Sequence, residues 1–485
     1  MINILLIGLG PHAKRIYYPI SKREGKKMNF KIAAVVDLES KNKDICKYLA
    51  EQNDLDLSKY LIPSCLVSNN KLSPIVLKKL GALVEDHNIK GVIISTEPRS
   101  HVVYAKWALN KGLSILMDKP ISTYDNVSTS LSAVEKIKTD YMSLMKLYDR
   151  TKQEHNNLSF SLMAQRRWHP AYIKIRELLQ EIFISTNCPV TSVQTFHGDG
   201  QWRLPAEIVD LDYHSFNHGF GKCSHSGYHF FDIVPWLLES AENDNKKIDS
   251  VDVFANFVRP ADYIRQITLD DYEKLFCDFN KHNKYGLCEL DKKYKDFGEI
   301  DAFNSFAFKS GKRVITLASI NLAHNSFSQR GWLQANMKDL YKGNGRLRHE
   351  SHFIEQGPFQ TISFNSYQSK EVNPKLKQGL YDIGGEYHLD IHVFRNNSFN
   401  NKWESYTKYS IKDLNIRKMS GHSRGHQEDA RREAVMEFIR FIQGKKVTPT
   451  SDLSDHYKSI MLMYGVYKSA VNRYLNKNPL VNVAF

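Results

Sequence analysis

The stretch "MINILLIGLGPHA" constrains this chain most. Residues 2–7 form an apolar run of strand length, as expected for a parallel strand buried on both faces. It runs directly into Gly8-Leu9-Gly10-Pro11-His12-Ala13, a G-x-G-x-x-A turn. Gly8 permits the tight turn, Gly10 lets phosphate groups approach the backbone, and Ala13 keeps the following helix close to the strand. The start is short, lacks a basic leader and enters a glycine turn at once. It reads as a strand, not a signal peptide.

Downstream residues repeat the pattern. "KIAAVVD" is a second strand ending at Asp37, where an acidic residue would meet the adenine ribose hydroxyls of a dinucleotide. Asp37 would repel a 2′-phosphate, so NAD is expected over NADP. The competing role, capping the next helix, could fall to Ser40 instead. Helices are expected near 40–52, 75–88 and 100–111, with strands at "GVIIST" (91–96) and "LSILM" (113–117). This alternation predicts right-handed crossovers and a parallel sheet. Ligands of such sheets bind beyond the carboxyl ends of the strands. "GLGPHA", "STEPRSH" and "MDKPIS" all fall there, which nominates Thr96, Glu97, Pro98, His101, Asp118 and Lys119 beside the glycine turn.

A chain of 485 residues, 42% hydrophobic and 12% aromatic, predicts two domains with sizeable cores. The boundary is expected near residue 150, dividing a dinucleotide-binding domain (1–150) from a substrate domain (151–485). No apolar run approaches the roughly 20 residues that span a bilayer, and a cytoplasmic location is expected. Six cysteines lie far apart with no CxxC pair, against a disulfide framework or zinc ribbon. The net charge of +14 is dispersed along the chain, so no nucleic-acid partner is expected. An acidic or phosphorylated small substrate is compatible with it, and Arg166, Arg167 and Arg203 point the same way.

"TEPRSHVVYAKWALNKGLSILMDKPIS" resembles the glucose–fructose oxidoreductase/inositol dehydrogenase/MocA (Gfo/Idh/MocA) family. The family pattern is T-P-N-x-x-H, a helix ending A-L-x-x-G, then a strand ending E-K-P. Here Thr96 to His101, Ala108 to Gly112 and Asp118-Lys119-Pro120 keep the spacing, with Glu97-Pro98 for Pro-Asn and Asp118 for Glu. The resemblance implies a Rossmann domain joined to an α+β domain with a large open, mostly antiparallel sheet, through which copies associate. It also implies NAD(P)-dependent oxidation of a sugar-like substrate. Lys119 would take the hydroxyl proton, a task that partial burial and nearby positive charge suit by lowering an amine pKa. Asp118 would organise the loop.

Beyond residue 150 the pattern is strand-rich. "LSFSLMAQRRWHPAYIKIRELL" resembles the family's strand, R-x-x-P and helix, and this places Gln165, Arg167, Trp168 and His169 among the pocket candidates. Trp168 could equally cover the start of the helix. Residues 298–322 read as a hairpin, 427–475 as closing helices, and 259–297 and 331–426 as insertions of open role. "TISFNSYQS" and "YHLDIHVF" read as strands inside the second insertion. His349 and His352 lie three apart and do not make an HExxH zinc motif.

The family's D-x-G-x-H-x-x-D signature becomes His225-Ser226-Gly227-Tyr228-His229-Phe230-Phe231-Asp232. The resemblance makes His229 the proton acceptor or hydroxyl clamp, with Asp232 anchoring the helix. His225 replaces the family aspartate and could relay a proton through His229, but it cannot supply negative charge. His214 and His218 precede the "GFGKCS" loop and are candidate substrate contacts. No spacing here is diagnostic of zinc, and no metal is expected. Two readings compete with a sugar or polyol dehydrogenase: an NAD-dependent glycosidase of the same fold, which would recycle its cofactor, and a non-catalytic nucleotide-binding regulator.

Overall fold

The computed structural model describes residues 1–485 except 64–65, 69–70, 156, 212–213, 277–278, 329–345, 370–376, 415–425 and 446–447. It divides into two compact units. The first comprises 1–123, 137–169 and 427–457, and the second 124–136, 170–426 and 458–485. A single cut at residue 150 does not reproduce this division, because the chain returns late to complete the first unit.

The first unit is built on six parallel strands: β1 (Ile2–Ile7), β2 (Phe30–Leu38), β3 (Ser58–Ile62), β4 (Ile89–Ile94), β5 (Ser114–Met117) and β6 (Phe160–Leu162). Their order is β3-β2-β1-β4-β5-β6. The chain runs outward from β1 on one side and then resumes at β4 on the other. A crevice therefore opens at the carboxyl ends of β1 and β4. Helices Pro11–Arg15 and Tyr17–Met28 follow the glycine turn, and His101–Asn110 follows β4. Ile4, Leu6, Val35, Ile93 and Leu116 form one core with Ala434, Val435, Phe438 and Ile439 of the helix His426–Ile442. That helix covers the Rossmann sheet, although the reading by sequence grouped it with the 151–485 domain. Its apolar stripe is matched to the sheet's flat hydrophobic face.

The second unit carries a nine-stranded mixed sheet. In chain order its strands are β7 (Ser192–Gly198), β8 (Ser250–Val258), β9 (Asp301–Ser310), β10 (Arg313–Ala323), β11 (Leu347–Gln356), β12 (Gln360–Ser369), β13 (Asp390–Arg395), β14 (Tyr406–Ser410) and β15 (Val481–Ala484). The order is β14-β13-β12-β11-β7-β10-β9-β8-β15, with only the β7–β10 pair parallel. One face is covered: Tyr172 on the helix Pro170–Thr186 meets His352, Phe230 on the helix Tyr228–Leu238 meets His197, and Gly465 lies against Val253. The other face is open. It exposes Phe303 (49%), Leu317 (59%) and Phe353 (41%) between polar neighbours. The strict alternation along β9 explains both faces, since Ala302, Asn304, Phe306 and Phe308 are buried.

The two insertions have separate structural roles. Within 259–297, four short helices pack Tyr263, Ile264, Leu290 and Tyr294 against Ile208 and Phe216. Tyr263 Oη donates to the Arg203 carbonyl (3.0 Å) and Tyr294 Oη to that of Pro205 (2.6 Å), so this insertion braces the loop after β7. The described part of 331–426 supplies β11 to β14 and widens the sheet. His349 faces the open side and bonds Asn365, while His352 is buried on the covered side. Residues an odd number apart on a strand point to opposite faces, so these two histidines cannot share a metal. "SGHSRGH" lies, apart from His426, outside the described residues. Among the described residues no helix is long and apolar enough to cross a membrane.

Candidate nucleotide and acid–base site

The glycine turn is shaped by backbone contact. Gly8 adopts φ +92°, and a Cβ there would sit 2.5 Å from the Ser95 carbonyl oxygen. Only glycine fits both conditions. Gly10 differs: a Cβ there would meet nothing within 4 Å, leaving open space above the start of helix Pro11–Arg15. Pro11 opens that helix and Ala13 is buried beneath it. Asp37 Oδ2 accepts the Leu9 N–H (2.7 Å) and Oδ1 the Leu38 N–H (2.7 Å), which ties the end of β2 to the turn. Burial pushes the Asp37 carboxyl upward, partly countered by these two bonds. A carboxylate has about four acceptor positions, so it can still receive ribose hydroxyls. The open space at Gly10 and the carboxylate at Asp37 fit the pyrophosphate and adenosine ribose of NAD.

Asp118 joins three segments. Ser95 Oγ donates to its Oδ2 (2.6 Å), Tyr17 Oη donates to its Oδ1, and His12 Nε2 lies 3.5 Å from Oδ1. Burial, reinforced by Asp118, holds the Tyr17 phenol well above its usual range, so it remains a donor. His101 is fully buried, with Nδ1 2.7 Å from the Pro120 carbonyl and Nε2 3.1 Å from that of Thr96. Burial lowers its pKa. His101 therefore sits between the β4 and β5 loops, and its neutral ring donates its single N–H to one of these two carbonyls. Lys119, half-buried, follows Asp118, and its bond to Pro120 is cis. Glu97 receives Arg99 Nε through both carboxylate oxygens (2.8 and 2.7 Å) beside Thr96 and Pro98. Tyr17 and Ser95 were not among the sequence candidates.

At the end of β6, Arg167 and Trp168 have structural tasks. Arg167 NH2 donates to the Asp455 carbonyl (3.2 Å), and Trp168 Nε1 donates to Glu437 Oε2 (3.0 Å) within the core. Both are buried and tie the end of β6 to Glu437 and Asp455. His169 is also buried. Gln165 is buried, and its Oε1 has no hydrogen-bond partner among the described residues.

In the second unit, Cys223–Gly227 forms a π-helical turn that leads directly into Tyr228–Leu238. His225 sits in this turn with its ring edge-on to His214 (4.7 Å), Phe216 (5.5 Å) and Phe220 (5.6 Å). His214 occupies a left-handed conformation, φ +56°. His218 Nδ1 lies 3.6 Å from Asp125 Oδ1 and its ring stacks on Phe220. His229 is buried on the first turn of the helix, and Asp232 accepts Ser459 Oγ (3.0 Å) as its anchor. The "GFGKCS" segment is a buried wall rather than a surface loop. Glu299 explains why: its carboxylate receives the Cys223 N–H (2.8 Å), Tyr467 Oη (2.9 Å) and Ser128 Oγ (2.6 Å). Burial raises the Glu299 pKa against those bonds. Glu299 had no sequence signal, since its partners are remote in the chain. Among the described residues no three His, Cys, Asp or Glu side chains form a metal-binding group.

A phosphate-accommodating glycine turn after β1, a carboxylate at the end of β2 and a lysine just after β5 together have the make-up of a Rossmann-type NAD-binding site. Residues 2–145 match the family described as "Oxidoreductase family, NAD-binding Rossmann fold" (Gfo/Idh/MocA). A curated oxidoreductase of Formosa agariphila is 31% identical over 98 residues, which is 20% of this chain and a quarter of that relative's length. Solved structures are similar over the whole chain at low identity. The WlbA dehydrogenase of Chromobacterium violaceum, in complex with NADH and UDP-GlcNAcA, superposes with TM-score 0.55, 13% identity, and coverage of 100% of this chain and 96% of that one. An Agrobacterium radiobacter oxidoreductase, in complex with NAD+, L-tartaric acid and magnesium, gives 0.53, 13%, 100% and 98%. Apo scyllo-inositol dehydrogenase of Lactobacillus casei gives 0.52, 13%, 100% and 98%. The expected two-part α/β and α+β fold is borne out, as is NAD as the cofactor.

Proposed function

We propose that this protein is an NAD-dependent dehydrogenase acting on a secondary hydroxyl or ketone of a sugar, polyol or sugar derivative, with NADP as the alternative cofactor. The observation that carries it is the Asp118 junction. One carboxylate, fixed by Ser95 and Tyr17 at the end of β5, immediately precedes Lys119, and Gly10 leaves open space at the end of β1. Bound NAD supplies the hydride acceptor or donor. Lys119 takes or returns the hydroxyl proton, and Asp118 positions the lysine without itself exchanging protons. His229 holds the reacting hydroxyl or shares the proton, with His225, His214 and His218 lining the same second-domain wall. Gln165 remains the pocket candidate from the β6 end.

The small-molecule partner inferred is of the kind bound in the similar structures, L-tartaric acid in one and UDP-GlcNAcA in another. Assembly of a second copy over the open sheet face is part of the same reading, because Phe303, Leu317 and Phe353 leave apolar surface there. We place the protein in the cytoplasm, since Cys46, Cys188, Cys223 and Cys288 are free thiols, the state a reducing compartment maintains. The test is a sugar, polyol and sugar-acid panel with NAD, scored for net NADH. Net NADH with a free sugar supports the dehydrogenase. Aglycone release without net NADH would instead support the glycosidase.

A further inference from the structure

A second charged cluster lies at the ends of β7, β10 and β11, wholly inside the second unit. At its centre is Lys222, 1% exposed, from the wall segment before His225. Its Nζ lies 2.5 Å from Asp199 Oδ2 and 3.0 Å from His197 Nδ1. His324 Nδ1 lies 3.2 Å from the same Asp199 oxygen, and Arg203 Nε donates to His324 Nε2 (3.2 Å). Arg346 Nε donates to the Asp199 carbonyl (2.7 Å). Arg348 Nε points at His197 Nε2 (3.4 Å), and its NH2 donates to Glu350 Oε2 (3.0 Å). Asp301 completes the charged set, accepting the His324 N–H (2.7 Å). The Glu299 carbonyl accepts the Lys222 backbone N–H (2.9 Å).

The donors around His197 conflict if Lys222 is an ammonium. A neutral imidazole offers one lone pair and one N–H. If Lys222 donates to Nδ1, the imidazole proton must sit on Nε2, facing the Arg348 N–H. A neutral amine removes the clash. His197 Nδ1–H then donates to the lysine lone pair, Nε2 accepts from Arg348, and Lys222 still donates to Asp199. The charges of the described residues agree: without the lysine proton, Arg203, Arg346 and Arg348 stand against Asp199, Asp301 and Glu350, three against three. An ammonium would add an unmatched charge at the most buried point of the cluster, where desolvation is costly.

We propose that Lys222 is an uncharged amine at neutral pH and a buried proton acceptor standing behind the His225–His229 wall. Its connection to that wall is physical. His197 packs on Phe230 (ring centroids 4.7 Å apart), the residue after His229. Taking up a proton turns Lys222 into a donor toward His197, sets His197 against Arg348, and disturbs the packing under His229. Lys222 is thus a positioning residue acting through His197. Its effect on turnover rests on the proposed role of His229, whereas its protonation state does not.

The test is nuclear magnetic resonance of the full-length protein carrying ¹³C- and ¹⁵N-labelled lysine. The Lys222 signal is assigned by its loss in Lys222→Met, or in Lys222→Arg should the methionine variant not fold. At neutral pH the signal is expected at the amine position, moving to the ammonium position on acidification. An ammonium signal at neutral pH overturns the proposal. In parallel, the acid limb of the kcat/KM profile, to which Lys119 and His229 also contribute, is expected to move between wild type and Lys222→Met, and identical limbs in the two count against the proposal. A wild type inactive on every sugar would sink the dehydrogenase reading and leave the resonance result intact.

Discussion

Gly8 and Gly10 stand two residues apart and separate fold from binding. Gly8→Val forces a side chain into the Ser95 carbonyl at a positive φ, and soluble expression or Tm should fall sharply. Gly10→Val meets open space at an ordinary φ of −76°, so Tm should hold while NAD affinity drops at least roughly tenfold by calorimetry, as expected for a blocked pyrophosphate approach. Equal loss of stability in both variants would contradict this division. Asp37 sets cofactor choice: NAD should raise Tm more than NADP, and Asp37→Ser should shrink that difference. The glycines, Asp37 and Lys119 were legible because each lies in a local motif. Tyr17 was not, because its partner Asp118 is 101 positions away and the contact exists only once β5 is beside the glycine turn. Tyr17→Phe should cost about 1 kcal/mol in urea unfolding and lower kcat with little change in NAD affinity.

Among elements, the Cys223–Gly227 turn shows most clearly what a sequence conceals. Its histidines were readable from the family signature, and its neighbours Gly221 and Lys222 read only as part of a loop. The fold buries them because Glu299 accepts donors from Cys223, Tyr467 and Ser128, and a Cβ on Gly221 would meet the Glu299 carbonyl at 1.9 Å. Glu299→Ala should cost about 3 kcal/mol, whereas Glu299→Gln, which keeps an acceptor and the volume, should cost about 1 kcal/mol or less. The end of β10 makes a separate prediction. Burial lowers the His324 pKa to about 4, against Asp199, which pulls it upward. The unfolded chain takes up this proton first, so stability is full above pH 6.5 and falls as pH drops toward 4, by up to roughly 3 kcal/mol. His324→Gln should flatten that slope in urea titrations across the same window. An unchanged slope would assign it to other groups.

At the scale of the molecule, alternating strands and helices announced the Rossmann sheet, and period-two patterning announced four strands of the second one, β9, β10, β12 and β13. The return of the helix His426–Ile442 to the first unit was not visible, since an amphipathic stripe states that it needs an apolar surface without saying which. The open face of the second sheet should be where copies meet: Leu317→Lys with Phe353→Lys should reduce the sedimentation mass to that of one chain while leaving Tm nearly unchanged. The proposed function assigns the proton of an NAD-linked sugar oxidation to Lys119 and His229. Its most direct measurement is kcat/KM for NADH formation on the best substrate of the panel, in wild type and in Lys119→Ala and His229→Ala, with NAD affinity measured alongside. Loss of turnover by at least roughly a hundredfold in each variant, with NAD still bound, is the predicted result. Unchanged turnover in both would contradict it.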